Sequence, residues 1–183
     1  MTQFSCLQLS QTQGIATVTL NLPEKRNALS LEMMRELTLA FAQIATSDAR
    51  GVILAANGPV FSAGHNLADM AGADAAHLQQ LFAACTDMMN NIQNMPQPVL
   101  ARVHALATAA GCQLVATCDL VIASEQAAFA LPGRQGKFVL PYTAGGCIAQ
   151  HRSQTRAGTG FDRRPHQCTN CGRLGFGEPC GAA

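Results

Sequence analysis

VHALATAAGCQLVATCD, residues 103–119, decides the fold of this chain. It opens at the end of an apolar run, Val99–Val103, of the kind that forms a strand buried on both faces. Ala107–Thr117 is small and apolar, which suits a helix start packed tightly against its neighbours. A second apolar run, Leu120–Ala123, follows at once. Two buried-type strands joined through a helix imply parallel pairing, because parallel strands need a crossover connection.

The same alternation extends toward the N-terminus. Leu78, Leu81, Phe82, Cys85, Met88, Met89 and Ile92 recur at helical spacing, and Pro96 and Pro98 end that helix. Asn57–Leu67 reads as a glycine-containing loop and Gly51–Ala55 as another buried strand. Met33, Leu37, Phe41 and Ile44 mark an earlier helix. Ser30 can cap it, and Glu32 lies in its first turn, where the helix dipole favours an acid. Asn21–Ala28, with Pro23, is a loop, and Ile15–Leu20 alternates as a strand does. Strands alternate with helices through residues 1–138, so the fold class is α/β.

Residues 139–183 do not continue the pattern. They hold half of the 16 glycines, half of the eight cysteines and five of the 12 basic residues. No period-2 or period-3.6 apolar repeat runs through them, and alone they read as a disordered basic tail. The chain therefore divides into a core, 1–138, and an aberrant tail, 139–183.

Composition narrows the function classes. The net charge is +1 and only 13% of residues are charged, which argues against a basic nucleic-acid-binding face and against an acidic disordered chain. At 48% hydrophobic, 183 residues can bury a real core. No apolar run is long enough to span a bilayer. The start, MTQFSCLQLSQ, lacks both the secretory pattern and the Arg-rich transit pattern, so a cytoplasmic location is expected. Without export, the cysteines do not imply a disulfide framework.

Three segments carry the chemistry. They are Pro23-Glu24-Lys25-Arg26-Asn27-Ala28-Leu29, Phe61-Ser62-Ala63-Gly64-His65-Asn66-Leu67, and His104 through Gln113 followed by Cys118-Asp119. Singly, each is a small-residue loop of a common kind. In this order and spacing, over about Gly14 to Phe138, they resemble the crotonase superfamily, the enoyl-CoA hydratase/isomerase family. ATAAGCQLVATCDLVIAS and FSAGHNL look most like its enoyl-CoA hydratase domain-containing protein 3 branch. The resemblance implies a crotonase-like ββα spiral core, here lacking the family's C-terminal helical region.

It also implies a substrate class, the acyl-CoA thioesters. Such a carbonyl becomes an enolate oxyanion when chemistry occurs at neighbouring carbons, and fixed backbone N–H groups stabilise that charge. The resemblance assigns the two donors to His65 and Ala110. By position it assigns coenzyme A to Arg26, Ala28, Ala63, Asn66 and Leu67, with Arg26 able to pair with phosphate. No separate cofactor and no metal is implied, coenzyme A being part of the substrate. The family forms trimers or hexamers, contacts that the missing C-terminal helices would weaken; no nucleic-acid or membrane partner is expected.

Two departures bear on the reaction. Hydratases of the family use paired glutamates around a water. Their positions hold Gln113 and Gly133 here, so two-glutamate hydration is not supported. Gln113 can orient substrate or water, or satisfy buried backbone. His65 and His104 can act as bases near neutral pH, though a packed or solvent-facing role is commoner for a histidine.

The tail has a specific explanation. Read one base later, permissible codons for His151–Pro179 spell IGRKRALELALTGDRINAQTAADWGLVNR, and those for Val139–Thr143 spell FCHTP. Both strings look like what the family carries here, and the longer one regains helical spacing. A change of reading frame between Gly133 and Val139 is the expectation, and codons incompatible with those strings would refute it. Cys168-Thr-Asn-Cys171, with His166 and Cys180, then arises by accident; a zinc site needs four ligands in sensible spacing. Three readings stand: an acyl-CoA enzyme of the family, a non-catalytic truncated crotonase-fold remnant, and a zinc-binding tail.

Overall fold

The computed structural model describes residues 4–130, 139–140 and 148–150. The chain divides into two units, Met1–Arg152 and Ser153–Ala183. The tail cysteines Cys147, Cys168, Cys171 and Cys180, and Gly133, lie outside the described residues.

A hairpin begins the fold. β1 (Leu7–Thr12) pairs antiparallel with β2 (Ile15–Leu20), and the two-residue turn has positive φ at both Gln13 and Gly14. That is the turn whose twist matches a hairpin. α1 (Leu31–Ala45) follows, its N-terminus closed by Ser30 Oγ, which accepts the Met33 N–H at 3.1 Å. Met33, Leu37, Phe41 and Ile44 all point into the core, as their spacing requires.

The next rounds repeat a strand–strand–helix unit. β3 (Gly51–Ala56) and β4 (Val60–Ser62) precede the short α2 (Leu67–Met70) and the long α3 (Ala75–Gln93). β5 (Val99–Val103) and β6 (Leu106–Thr108) precede α4 (Ala110–Thr117), and β7 (Leu120–Ala123) and β8 (Phe129–Ala130) come after it. One strand of each pair joins a sheet of order β1-β2-β3-β5-β7-β10 and the other a sheet of order β4-β6-β8-β9. The chain thus winds as a ββα spiral around the two sheets. β2, β3, β5 and β7 are parallel, as the buried apolar runs imply. β9 (Val139–Leu140) pairs antiparallel with β8, and β10 (Ile148–Gln150) with β7. Among the described residues no helix follows α4, and none is long and apolar enough to cross a membrane.

Six strands differ from the sequence reading: β1, β4, β6 and β8 within residues 1–138, and β9 and β10 within the part read as tail. β4, β6 and β8 have three, three and two residues, too few to show a period. β1 is missed because LQLSQT buries only Leu7. α3 is also narrower on its apolar side than its stripe suggests. Leu81, Cys85, Met88 and Ile92 are buried, but Phe82 is 47% exposed.

Candidate active site

Backbone contact joins the second and third motifs. A Cβ on Gly64 would fall 2.8 Å from the Ala109 Cβ, 2.9 Å from the Thr108 carbonyl oxygen and 3.1 Å from the Ala110 nitrogen. Gly64 has φ +85°, a conformation costly for any other residue. A Cβ on Gly111 would fall 2.7 Å from Ser62. Only glycines allow the two chains to lie this close.

The peptide planes then aim the two expected donors. The Gly64 carbonyl accepts the Leu29 N–H at 2.7 Å, and the Asn66 N–H reaches the Leu29 carbonyl at 3.3 Å. In a trans peptide the His65 N–H points opposite to the Gly64 carbonyl, away from Leu29. Ala110 is the first residue of α4, so its N–H has no intrahelical partner. The Ala109 carbonyl accepts from Cys112 and Gln113 at 3.0 and 3.1 Å, which directs the Ala110 N–H out of the helix end. Among the described residues neither N–H donates a hydrogen bond. Ala109 is held at φ +51° with its own N–H on the Ala130 carbonyl, 2.8 Å away.

The first motif is tied to the second. The Arg26 carbonyl accepts the Ala63 N–H at 3.0 Å, bringing two of the expected coenzyme A residues together. Ala28 and Ala63 are half-buried, and the Arg26 side chain is exposed. Asn66 caps α2, its Oδ1 accepting the Ala68 N–H at 3.1 Å and its Nδ2 donating to Asp69 at 2.8 Å. Leu67 is 76% exposed. A groove of about 740 Å³ runs alongside, lined in part by Lys25, Ser30, Arg35, Asn66, Asp69 and His77. Of the five coenzyme A candidates only Asn66 lines it.

Gln113 is exposed on α4. Among the described residues its side chain makes no hydrogen bond to buried backbone. His104 holds the Gly58 carbonyl at 2.7 Å through Nε2, a loop-to-loop tie. His65 is half-buried, with its ring edge-on to Phe82 at 5.6 Å and its Nδ1 buried without a hydrogen-bond partner among the described residues. Burial pushes this imidazole below its ordinary 6.5, with the Leu29 backbone opposing the shift.

That shift has a sign in stability. As pH falls through 6.5, the unfolded chain protonates His65 before the folded chain does. The stability it supports is whole above that pH and is lost toward the lower folded value. Thermal melts at about pH 7.5 and about pH 5.5 are expected to show a smaller Tm loss for His65→Gln than for the wild type. Equal losses would contradict this.

Two residues that the sequence reading passed over organise the site. Asn27 is fully buried; its Oδ1 accepts the Leu22 N–H at 2.9 Å, and its Nδ2 donates to the Asn57 and Val60 carbonyls at 2.8 and 3.1 Å. Ser62, also fully buried, donates to the Asn27 carbonyl at 2.8 Å. No sequence signal set them apart, since Glu24, Lys25 and Arg26 precede Asn27 and His65 and Asn66 follow Ser62.

Among the described residues the one metal-spaced group is Cys6, Glu32 and Glu36. Glu36 there accepts from the Ser5 and Cys6 N–H groups, both at 2.8 Å, and Glu32 from the Ser5 hydroxyl at 2.9 Å, which anchors the N-terminal segment to α1. The described cysteines are free thiols. Burial pushes Cys118 up to about 12, with Asp119 adding to the effect.

A family model described as enoyl-CoA hydratase/isomerase matches residues 10–149. Over 132 residues the chain is 46% identical to the mitochondrial enoyl-CoA hydratase domain-containing protein 3 of Danio rerio, covering 70% of this chain and 46% of that one. Among solved structures, an enoyl-CoA hydratase of Mycobacterium smegmatis aligns with TM-score 0.67 at 48% identity, covering 68% of this chain and 50% of the other. The human enoyl-CoA hydratase domain-containing protein 3 aligns with TM-score 0.68 at 42% identity, covering 70% and 51%. The chain spans about half the length of these relatives.

Proposed function

The chain belongs to the enoyl-CoA hydratase/isomerase family, and from that premise we propose that it binds acyl-CoA thioesters and polarises their carbonyl between the His65 and Ala110 N–H groups. The observation that carries this is that both N–H groups lack an acceptor among the described residues, on two segments brought together by the Gly64 and Ala109 contact. Charge moves onto the thioester oxygen as an enolate forms. Two preset donors stabilise it without reorganising, and removing one such donor typically costs about 10²- to 10³-fold in rate. The start of α4 adds a favourable dipole at the same point. Arg26, Ala28, Ala63, Asn66 and Leu67 are proposed to face coenzyme A, with the exposed Arg26 guanidinium free to meet a phosphate.

Hydration does not follow from this site. Gln113 cannot take a proton at neutral pH, and Gly133 has no side chain. The proposed activity is thioester binding and carbonyl polarisation, with no acid/base pair assigned. The second reading, a non-catalytic remnant, is favoured by those two positions and by the out-of-frame character proposed for residues 139–183.

Competition binding separates the readings. Crotonyl-CoA is expected to bind about tenfold more tightly than a thioether analogue lacking the carbonyl, the net energy of one or two neutral hydrogen bonds. Equal affinities would defeat the proposal. Hydration of crotonyl-CoA is expected from a frame-restored chain with glutamate at both positions, and not from this one.

A further inference from the structure

Ser62 lies buried in the segment that carries His65, against Gly111 of the segment that carries Ala110. Its hydroxyl donates to the Asn27 carbonyl at 2.8 Å and accepts the Gly64 N–H at 3.3 Å. Its Cβ, Oγ and carbonyl oxygen each lie 2.7 Å from where a Cβ on Gly111 would fall. Ser62 therefore touches the residue before His65 in one segment and the residue after Ala110 in the other.

A hydroxyl in a dry core costs stability unless its hydrogen bonds are made. Here both its donor and its acceptor functions are used. Packing alone does not call for the oxygen, since alanine would keep the same Cβ contact with Gly111. The hydroxyl leads instead from a fixed anchor to a mobile kind of residue. Asn27 is the anchor, held by three side-chain hydrogen bonds to Leu22, Asn57 and Val60. Gly64 is the residue that needs holding. With its N–H on Ser62 and its carbonyl on Leu29, the glycine cannot rotate, and the direction of the next N–H, that of His65, is set.

We propose that Ser62 is a positioning residue that fixes the separation and aim of the His65 and Ala110 N–H groups through its buried hydroxyl, a role that rests on reading those groups as the thioester oxyanion hole. The hydroxyl touches no substrate. Its loss leaves the coenzyme A contacts in place and loosens the hole.

The test uses the full chain and a CoA thioester of para-dimethylaminocinnamic acid, whose absorption moves to the red as its carbonyl is polarised. Affinity and red shift are read separately. For Ser62→Ala, the affinity should stay within about threefold of wild type while the red shift falls by about half or more. Ser62→Cys keeps a weak donor and acceptor and should recover part of the shift at unchanged affinity. If Ser62→Ala does not fold, Ser62→Cys carries the test alone. A wild-type red shift in the folded variant overturns the proposal. So does a loss of affinity in step with the shift, which marks a general structural role. A wild-type chain that binds the probe without any red shift sinks the oxyanion-hole reading itself, and the role of Ser62 with it.

Discussion

Gly64→Ala is expected to abolish thioester carbonyl polarisation while leaving the β2-β3-β5-β7 sheet intact. Two costs combine at this position. The backbone sits at φ +85°, which costs a residue with a Cβ about 1–2 kcal/mol. The new methyl would also fall 2.8 Å from the Ala109 Cβ and 2.9 Å from the Thr108 carbonyl oxygen. These are backbone and near-backbone atoms that cannot swing aside. Relief requires the two segments to part, and the Ala110 nitrogen, 3.1 Å from the same point, moves with them. The hole is lost because its two halves belong to different segments. Absorption of the bound dimethylaminocinnamoyl thioester checks this, with circular dichroism confirming the fold. A full red shift in the variant would show that the close approach does not build the site.

Asn27→Ala should be the most damaging substitution for stability. The side chain satisfies the Leu22 N–H and the Asn57 and Val60 carbonyls from a fully buried position. Each buried polar group left without a partner costs about 1–3 kcal/mol. Asn27 also has φ +48°, which asparagine tolerates better than alanine. A loss of about 3–5 kcal/mol is expected, a large part of the stability of an ordinary domain. Urea unfolding measures it. Asn57→Ala is the control, because that side chain is exposed and its bonds to Asn21 and Gln8 are surface contacts. It should cost less than about 1 kcal/mol. Similar losses for the two variants would contradict the anchoring role of Asn27.

The fold was legible wherever burial leaves a period. The run at Val99–Val103 and the stripe from Met33 to Ile44 face the core on every expected residue but Leu100 and Arg102. β4, β6 and β8 escaped because two or three residues carry no period. Phe82 escaped because a helical stripe does not say which edge residue turns outward; this one turns to meet His65. The site was legible in a different way. Its proposed donors are main-chain groups, which composition cannot mark, and the order of three motifs pointed to them. What the motifs do to one another was not legible. The bonds of Asn27 to Asn57 and Val60, and of Ser62 to Asn27, cross 30 to 35 residues of sequence. They depend on chain crossings that only the spiral of sheets creates.

Titration of the purified full chain with the dimethylaminocinnamoyl thioester of coenzyme A tests the proposed hole most directly. A saturable red shift, abolished in Gly64→Ala, is the expected result. Binding with no shift, or a shift that survives in Gly64→Ala, would contradict the assignment of the His65 and Ala110 N–H groups as its donors.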